Sequence, residues 1–150
     1  MSHSKKAILV VSFGTSYEDA RKATIERIEE DIRAAFPEYR FYRAWTSRMI
    51  LSILKQRDQI SIPNVQEAME EMVADGITEV IVQPTHILDG IENHAMKETV
   101  LSYQKHFVSV SFGKPLLSGP DDAQALVHAI GKRFQDLEDH TCLLYTSRCV

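Results

Sequence analysis

The turn from Ser12 to Ser16, with the sequence SFGTS, carries the residue types of an anion-binding site. Gly14 lets the backbone approach a ligand closely, because glycine has no side chain and tolerates unusual dihedral angles. The hydroxyl groups of Ser12, Thr15 and Ser16 can donate hydrogen bonds. A helix that begins after the turn would add free N–H groups, which favour negative charge. We therefore interpret the turn as an anion cradle, although a plain strand-to-helix connection would use the same residues.

Two common nucleotide-binding patterns do not fit this turn. The Walker pattern requires a Lys after the glycine-rich turn, and the dinucleotide fingerprint requires several glycines. This turn has a single glycine and no Lys behind it. A nucleotide is therefore not the ligand that we expect first.

His86 is the best single candidate for chemistry, because it lies where a predicted buried strand ends. An imidazole can act as a base or bind a divalent metal near neutral pH. The same position also suits a hydrogen-bonded structural histidine. Asp89, Glu92 and His94 follow closely and could form a metal cluster with His86, but their spacing matches no standard site. At a helix start, these residues could equally be solvated or complement the helix dipole.

An alternation of strands and helices must position these residues. The apolar run Ala7–Val11 has no polar alternation, which is typical of a parallel strand covered on both faces. Further strands are predicted at Tyr39–Trp45, Glu79–Gln83 and Val108–Phe112. The pattern predicts an α/β fold with a doubly wound, mostly parallel four-stranded sheet and helices on both faces.

The helices are predicted from apolar spacing and from their end signals. Ser16 and Asp19 form a start signal for the first helix, which follows the first strand. Asn64 and Glu67 form an N-cap pair for another helix, which Gly76 can end in a left-handed conformation. The remaining helices are predicted near Met49–Leu54, Ile91–Lys105 and Asp121–Leu137. The carboxyl ends of the strands then share one edge, where open α/β sheets bind ligands.

The composition is that of an ordinary single domain of 150 residues with a net charge of −4. This charge gives no overall field for nucleic acid, so nucleic acid is not an expected partner. No apolar stretch approaches the roughly 18 residues of a membrane span, and the N-terminus lacks the apolar core of a signal peptide. We expect a cytoplasmic location and no membrane partner. Local cations could still bind an anion or form a solvated face: Arg40, Arg43, Arg48, Lys55 and Arg57.

Four separated segments together resemble one family, the anaerobic CbiK-type sirohydrochlorin cobalt chelatases, relatives of the class II chelatases and ferrochelatase. The segments are KKAILVVSFGTSYEDAR, FYRAWTSRMILSILKQRD, VIVQPTHILDGIE and FGKPLLSGPDD, in this order along the chain. Each segment coincides with the predicted end of a strand. The resemblance therefore agrees with the reading of the residues themselves.

The resemblance implies a two-lobed metal chelatase, a lyase of about twice this length, with a tetrapyrrole in the cleft between two α/β lobes. The enzyme inserts Co²⁺, its substrate metal, into sirohydrochlorin for anaerobic cobalamin biosynthesis and needs no organic cofactor. The cradle residues, including Phe13, would bind the substrate together with Thr85 and His86. A neutral imidazole suits the reaction, because metal insertion displaces two pyrrole protons.

The family's metal-binding histidine, its glutamate partner and a second histidine lie in the second lobe, which this sequence lacks. We expect residues 1–140 to be the N-terminal lobe, whose missing partner is the C-terminal lobe. The atypical residues 141–150, with Cys142 and Cys149, suggest a truncated gene or an assembly artefact. The fragment is expected to be inactive alone, with His86 as an auxiliary group or a single metal ligand. Whether it forms a homo-oligomer stays open.

Two other functions remain compatible with the residues. A chelatase of this kind could use nickel or iron, since affinity trends of first-row metals do not exclude them. A non-catalytic, flavodoxin-like or receiver-like module could instead hold a phosphate at the cradle. A receiver needs an acidic cluster at the end of its first strand, where this chain has Val11, Ser12 and Phe13.

Overall fold

Four parallel strands form one sheet in the order β2-β1-β3-β4. The structure is a computed structural model and describes residues 5–134. The strands are β1 at Lys6–Ser12, β2 at Arg40–Trp45, β3 at Glu79–Pro84 and β4 at Ser109–Phe112. Since β1 pairs in parallel with both β2 and β3, and β3 pairs in parallel with β4, the predicted parallel sheet is confirmed.

Helices connect the strands. They are α1 at Glu18–Ala23, α2 at Ile25–Ala35, α3 at Arg48–Ile53, α4 at Val65–Ala74, α5 at Ile91–Ser102 and α6 at Pro120–Arg133. A short π-helical segment, Leu54–Asp58, continues α3, and a 3₁₀ turn, Gln104–His106, follows α5. The chain divides into two compact units, Met1–Ser118 and Gly119–Val150. The first contains the whole sheet, and α6 is the described element of the second.

The central strand β1 organises the hydrophobic core, because every residue of it after Lys6 is buried. Leu9 and Val11 pack on one face with residues of α4 and α5, such as Met69 and Val100. Burial of each such side chain contributes about 1.5–3 kcal/mol relative to leaving it exposed. A separate cluster joins Trp45 to residues of the segment after β2. The carboxyl end of β1 is therefore held rigidly on the sheet.

The prediction of the first helix is wrong in two respects, because the helix starts at a different residue and is not continuous. Tyr17 is the N-terminal cap and makes no side-chain cap bond, so the Ser16–Asp19 signal is not used. The helix is interrupted at Thr24, whose φ is −123° and whose ψ is −78°. The Thr24 hydroxyl donates to the Ala20 carbonyl at 2.6 Å. Such bonds to the preceding turn bend helices, which accounts for the separation of α1 from α2.

The predicted cap of α4 is confirmed in detail. The Asn64 side chain accepts from the Glu67 N–H at 2.9 Å, and the Asn64 N–H donates to the Glu67 carboxylate at 2.8 Å. Gly76, beyond the end of this helix, has a φ of +69°. The sequence thus correctly predicted the two cap hydrogen bonds at the start of α4 and the left-handed glycine after its end.

None of the helices between residues 5 and 134 has both the length and the hydrophobicity of a membrane-spanning segment.

Candidate functional site

The predicted cradle lies at the carboxyl edge of the sheet and is anchored through its carbonyl groups. The Thr46 N–H donates to the Ser12 carbonyl at 2.9 Å, and the Ser47 N–H donates to the Phe13 carbonyl at 3.2 Å. Arg57, on the π-helical segment, donates from Nη2 to the Ser16 carbonyl at 2.5 Å. The loop is therefore held at both of its ends by neighbouring elements.

This anchoring fixes the direction of the loop's N–H groups. A carbonyl and the N–H of the next residue point in opposite directions across a trans peptide bond, and the described chain has no cis peptide bonds. The N–H groups of Phe13 and Gly14 therefore point away from Thr46 and Ser47. Neither makes a hydrogen bond to another described residue. Two adjacent N–H groups without partners are the donors that an anion needs.

Gly14 is required by its conformation and by its surroundings. Its φ is +102°, a region that residues with a side chain rarely adopt. A Cβ at this position would lie 2.6 Å from Cε3 of Trp45, which is fully buried and cannot move aside. Trp45 is thus a core residue that backs the cradle, and it is not placed to stack on a flat ligand.

Thr85 and His86 lie next to the cradle, as predicted. The Thr85 hydroxyl donates to Oγ of the buried Ser12 at 2.7 Å, and the Thr85 N–H donates to the Val11 carbonyl at 2.8 Å. The next residue, His86, accepts at its carbonyl from the Leu116 N–H at 3.1 Å. The loops after β1, β3 and β4 are therefore joined into one surface around these two residues.

The ring nitrogens of the half-buried His86 are themselves buried and unpaired. Neither ring nitrogen is accessible to solvent, and neither has a hydrogen-bond partner among residues 5–134. Burial lowers the pKa of His86 below its usual value of 6.5, and the nearby negative charge of Glu92 opposes this only in part. The ring is therefore neutral at pH 7. It lies at the end of a largely apolar cavity of about 460 Å³, which Ile28 of α2 and Phe36, the residue after α2, also line.

The residues behind His86 do not form a metal site. Asp89 accepts a hydrogen bond from the Asn93 side chain, which holds the pKa of Asp89 below its usual range. His94 and Lys97 face the same carboxylate at 3.5 and 3.8 Å. Within residues 5–134 there is no group of three or more His, Cys, Asp or Glu side chains that could hold a metal ion. His86 stands apart from any such cluster, and the structure leaves its role as a metal ligand a prediction.

The basic residues of the middle segment do not form a single anion-binding group. Arg40 pairs with Asp75 at 3.2 Å and lies at the first residue of β2, away from the carboxyl edge. Arg43 pairs with the buried Glu29. Arg57 is also neutralised, by Asp58 at 2.7 Å. The sequence alone could not show that these arginines already have carboxylate partners, because the partners are distant in the chain or depend on the conformation of the π-helical segment.

Sequence reasoning missed the bond from Arg57 to the Ser16 carbonyl and the bond from Thr85 to Ser12. It also did not single out Thr46, and it named Arg48 only among the five cations of the middle segment. Both residues flank the capping residue Ser47 and line a polar cavity beside the cradle. The only local signal was the cap itself, since Ser47 accepts from the Ile50 N–H at 3.4 Å. The atypical tail and both cysteines lie outside the described residues, so the structure does not test their interpretation.

Comparison with known proteins identifies relatives over nearly the whole chain. The sequence model of the family described as cobalt chelatase (CbiK) matches residues 6–148. A sirohydrochlorin cobaltochelatase of Salmonella typhimurium is 38% identical over 133 residues, which cover 89% of this chain and 50% of that protein. The sirohydrochlorin cobaltochelatase CbiKC of Nitratidesulfovibrio vulgaris is 28% identical over 132 residues, 84% of this chain and 45% of that protein. The chain thus spans about half the length of these relatives.

A solved structure supports the fold independently. The crystal structure of a CbiX protein from Marinobacter aquaeolei VT8 superposes with a TM-score of 0.59 at 13% sequence identity. The match covers 87% of this chain and 95% of that one. At this identity the likeness concerns the α/β fold alone.

Proposed function

Because the chain belongs to the cobalt chelatase (CbiK) family, we propose that it is the N-terminal lobe of a sirohydrochlorin cobaltochelatase. In this proposal the complete enzyme, a metal chelatase of the lyase class, inserts Co²⁺ into sirohydrochlorin in the cytoplasm as a step of cobalamin biosynthesis. This chain supplies one wall of the site that binds the tetrapyrrole. The remaining residues needed for insertion belong to a second lobe.

The single observation that carries the proposal is the orientation of the cradle. Sirohydrochlorin is a polycarboxylated ring, so its recognition requires donors that face outward from a rigid edge. The N–H groups of Phe13 and Gly14 are unpaired and point away from Thr46 and Ser47, which anchor the carbonyls of Ser12 and Phe13. Hydroxyl groups of the same turn, at Thr15 and Ser16, border them. Such a site binds a carboxylate through donors already in position.

His86 is assigned a supporting role in this proposal. Metal insertion displaces two pyrrole protons, and a neutral imidazole can accept a proton where an imidazolium cannot. Burial keeps His86 in the neutral form. As a lone imidazole it supplies at most one ligand to a divalent ion, too few to hold Co²⁺ against water. We therefore assign to the first lobe the binding of the substrate and to the second lobe the principal metal ligands.

The proposal is tested by titration of the 150-residue chain with sirohydrochlorin, followed by absorbance. We expect weak binding, because half of a cleft leaves one face of the ligand in water. Absence of any spectral change with the wild-type chain would contradict the proposal.

The second part of the test is turnover with Co²⁺, Ni²⁺ or Fe²⁺ as the offered metal. The chain alone is expected not to exceed the uncatalysed rate, since loss of a general base alone costs on the order of 100- to 10,000-fold. Adding the C-terminal half of the Salmonella relative should restore cobalt insertion. Turnover by the chain alone would show that its own residues are sufficient, and a preference for another metal would correct the assignment of cobalt.

A further inference from the structure

A second cavity lies at the same edge of the sheet as the cradle. Its volume is about 240 Å³, and it is bounded by the loop after β2, the start of α4 and one side of α5. The cavity beside His86 has mainly apolar walls, whereas this one is lined by six polar side chains: Thr46, Arg48, Asn64, Gln66, Glu92 and Thr99. A polar cavity of this kind suits a charged group of a ligand better than an apolar one.

Arg48 brings an uncompensated positive charge to this cavity. Five other arginines, at positions 21, 27, 40, 43 and 57, each have a carboxylate partner within 4 Å. Arg48 makes no ion pair with any residue between 5 and 134. Because a guanidinium binds a carboxylate through two parallel hydrogen bonds, an acidic group is its natural ligand.

Thr46 brings a buried hydroxyl without a partner. Its Oγ1 is inaccessible to solvent and makes no hydrogen bond within the described part of the chain. A buried polar group left in this state destabilises the protein. The backbone of Thr46 is fixed by its N–H bond to the Ser12 carbonyl, so the residue stays at the wall of the cavity. A ligand oxygen would satisfy it.

Glu92 determines which part of the cavity an anion can occupy. It lines the same cavity, and its charge also acts on His86. A carboxylate must therefore lie at the side of Thr46 and Arg48, away from Glu92. That side is adjacent to the cradle, because Thr46 and Ser47 are the residues whose N–H groups hold the carbonyls of Ser12 and Phe13.

We propose that Thr46 and Arg48 form a second carboxylate subsite, which holds one peripheral acid group of the tetrapyrrole while another occupies the cradle. The inference rests on the proposed function for the identity of the ligand. A ring with carboxylates along its rim can reach two anion sites on one sheet edge. Two linked contacts of this kind raise the affinity well above that of either alone.

The test compares two variants of the full chain with a matched control. Arg48→Gln removes the charge, and Thr46→Val replaces the hydroxyl with a methyl group of similar size. Lys55→Gln is the control, because it removes an exposed charge nearby that does not line this cavity. Sirohydrochlorin affinity is measured by absorbance titration, and stability by the midpoint of thermal unfolding.

Arg48→Gln should weaken sirohydrochlorin binding by on the order of 10-fold or more, as expected for a hydrogen bond to a charged group. Thr46→Val should weaken it several-fold while leaving the unfolding midpoint unchanged or raised, since an unsatisfied buried hydroxyl is lost. A purely structural role for Thr46 would instead lower the midpoint and spare the affinity. Equal affinities for wild type and both variants would overturn the subsite.

A second probe separates this inference from the proposed function. Propane-1,2,3-tricarboxylate is titrated into the ¹⁵N-labelled chain, and the amide signals of Thr46 and Gln66 are followed by NMR. Shifts that disappear in Arg48→Gln support the subsite even if sirohydrochlorin does not bind, in which case only the proposed function fails. If the tricarboxylate leaves these signals unmoved and sirohydrochlorin binding is also indifferent to Arg48, the subsite is refuted.

Discussion

Replacing Gly14 with Ala should destabilise the protein substantially, for two separate reasons. At a φ of +102°, a side chain strains the backbone by about 1–3 kcal/mol. The new Cβ would also lie 2.6 Å from Cε3 of Trp45, where ordinary contacts begin near 3.4 Å. Overpacking of a fully buried ring costs a further 1–3 kcal/mol or so. We therefore expect a loss of about 2–6 kcal/mol in the free energy of unfolding.

Urea unfolding followed by tryptophan fluorescence measures this loss directly at the site, because Trp45 is the only tryptophan in the chain. Gly90→Ala is the control, since Gly90 has no positive φ and a Cβ there would meet nothing within 4 Å. Because Gly90 is the N-terminal cap of α5, where Ala is less favourable than Gly, this change should cost at most about 1 kcal/mol. If Gly14→Ala proved as stable as Gly90→Ala, the claim that Trp45 packs rigidly under the cradle would be wrong.

Three further changes test other parts of the site. Arg57→Met removes an anchor of the cradle and should weaken sirohydrochlorin binding several-fold in absorbance titrations. The stability loss should stay below about 1 kcal/mol, as for other surface ion pairs. Lys55→Met is the control, and equal affinities of the two variants would contradict the anchoring role of Arg57. Because burial lowers the folded-state pKa of His86, the unfolded chain binds the extra proton first, so stability should fall as the pH drops below 6.5. His86→Asn should flatten that part of the pH profile in urea unfolding, and an NMR titration midpoint for His86 at or above 6.5 would disprove the assignment. Asn64→Ala should cost about 1 kcal/mol through loss of the capping box, measured by urea unfolding, and an unchanged stability would show that the cap contributes nothing.

The sequence predicted the sheet well because its signals are local and strong. The run Ala7–Val11 is apolar without interruption, which over so short a span is typical of a strand covered on both faces. The pair Asn64 and Glu67 lies within one helical turn, so its cap could be recognised directly. The break at Thr24 was missed, because the apolar spacing continues across it and only the hydroxyl bond reveals it.

The placement of the candidate residues at one edge of the sheet was predicted, but their interactions were not. The glycine of the cradle was found from its type, yet its contact with Trp45 joins residues that are far apart in the chain. The same limit applies to the pairing of Arg43 with Glu29 and to the burial of the ring nitrogens of His86. Contacts of this kind depend on how the elements pack together, which residue types and spacing do not specify.

The place of β1 at the centre of the sheet has a consequence during synthesis of the protein on the ribosome. The hydrogen bonds between Lys5 and Thr78, which flank the pairing of β1 with β3, join residues 73 positions apart. At about 5–20 residues per second, the strand leaves the ribosome several seconds before its partner exists. β2 is synthesised earlier and can pair with one edge of the segment Ala7–Val11, but the edge that pairs with β3 stays open during that time. The strand that later holds the cradle is therefore an apolar, half-paired stretch that is prone to aggregation while the chain is being made.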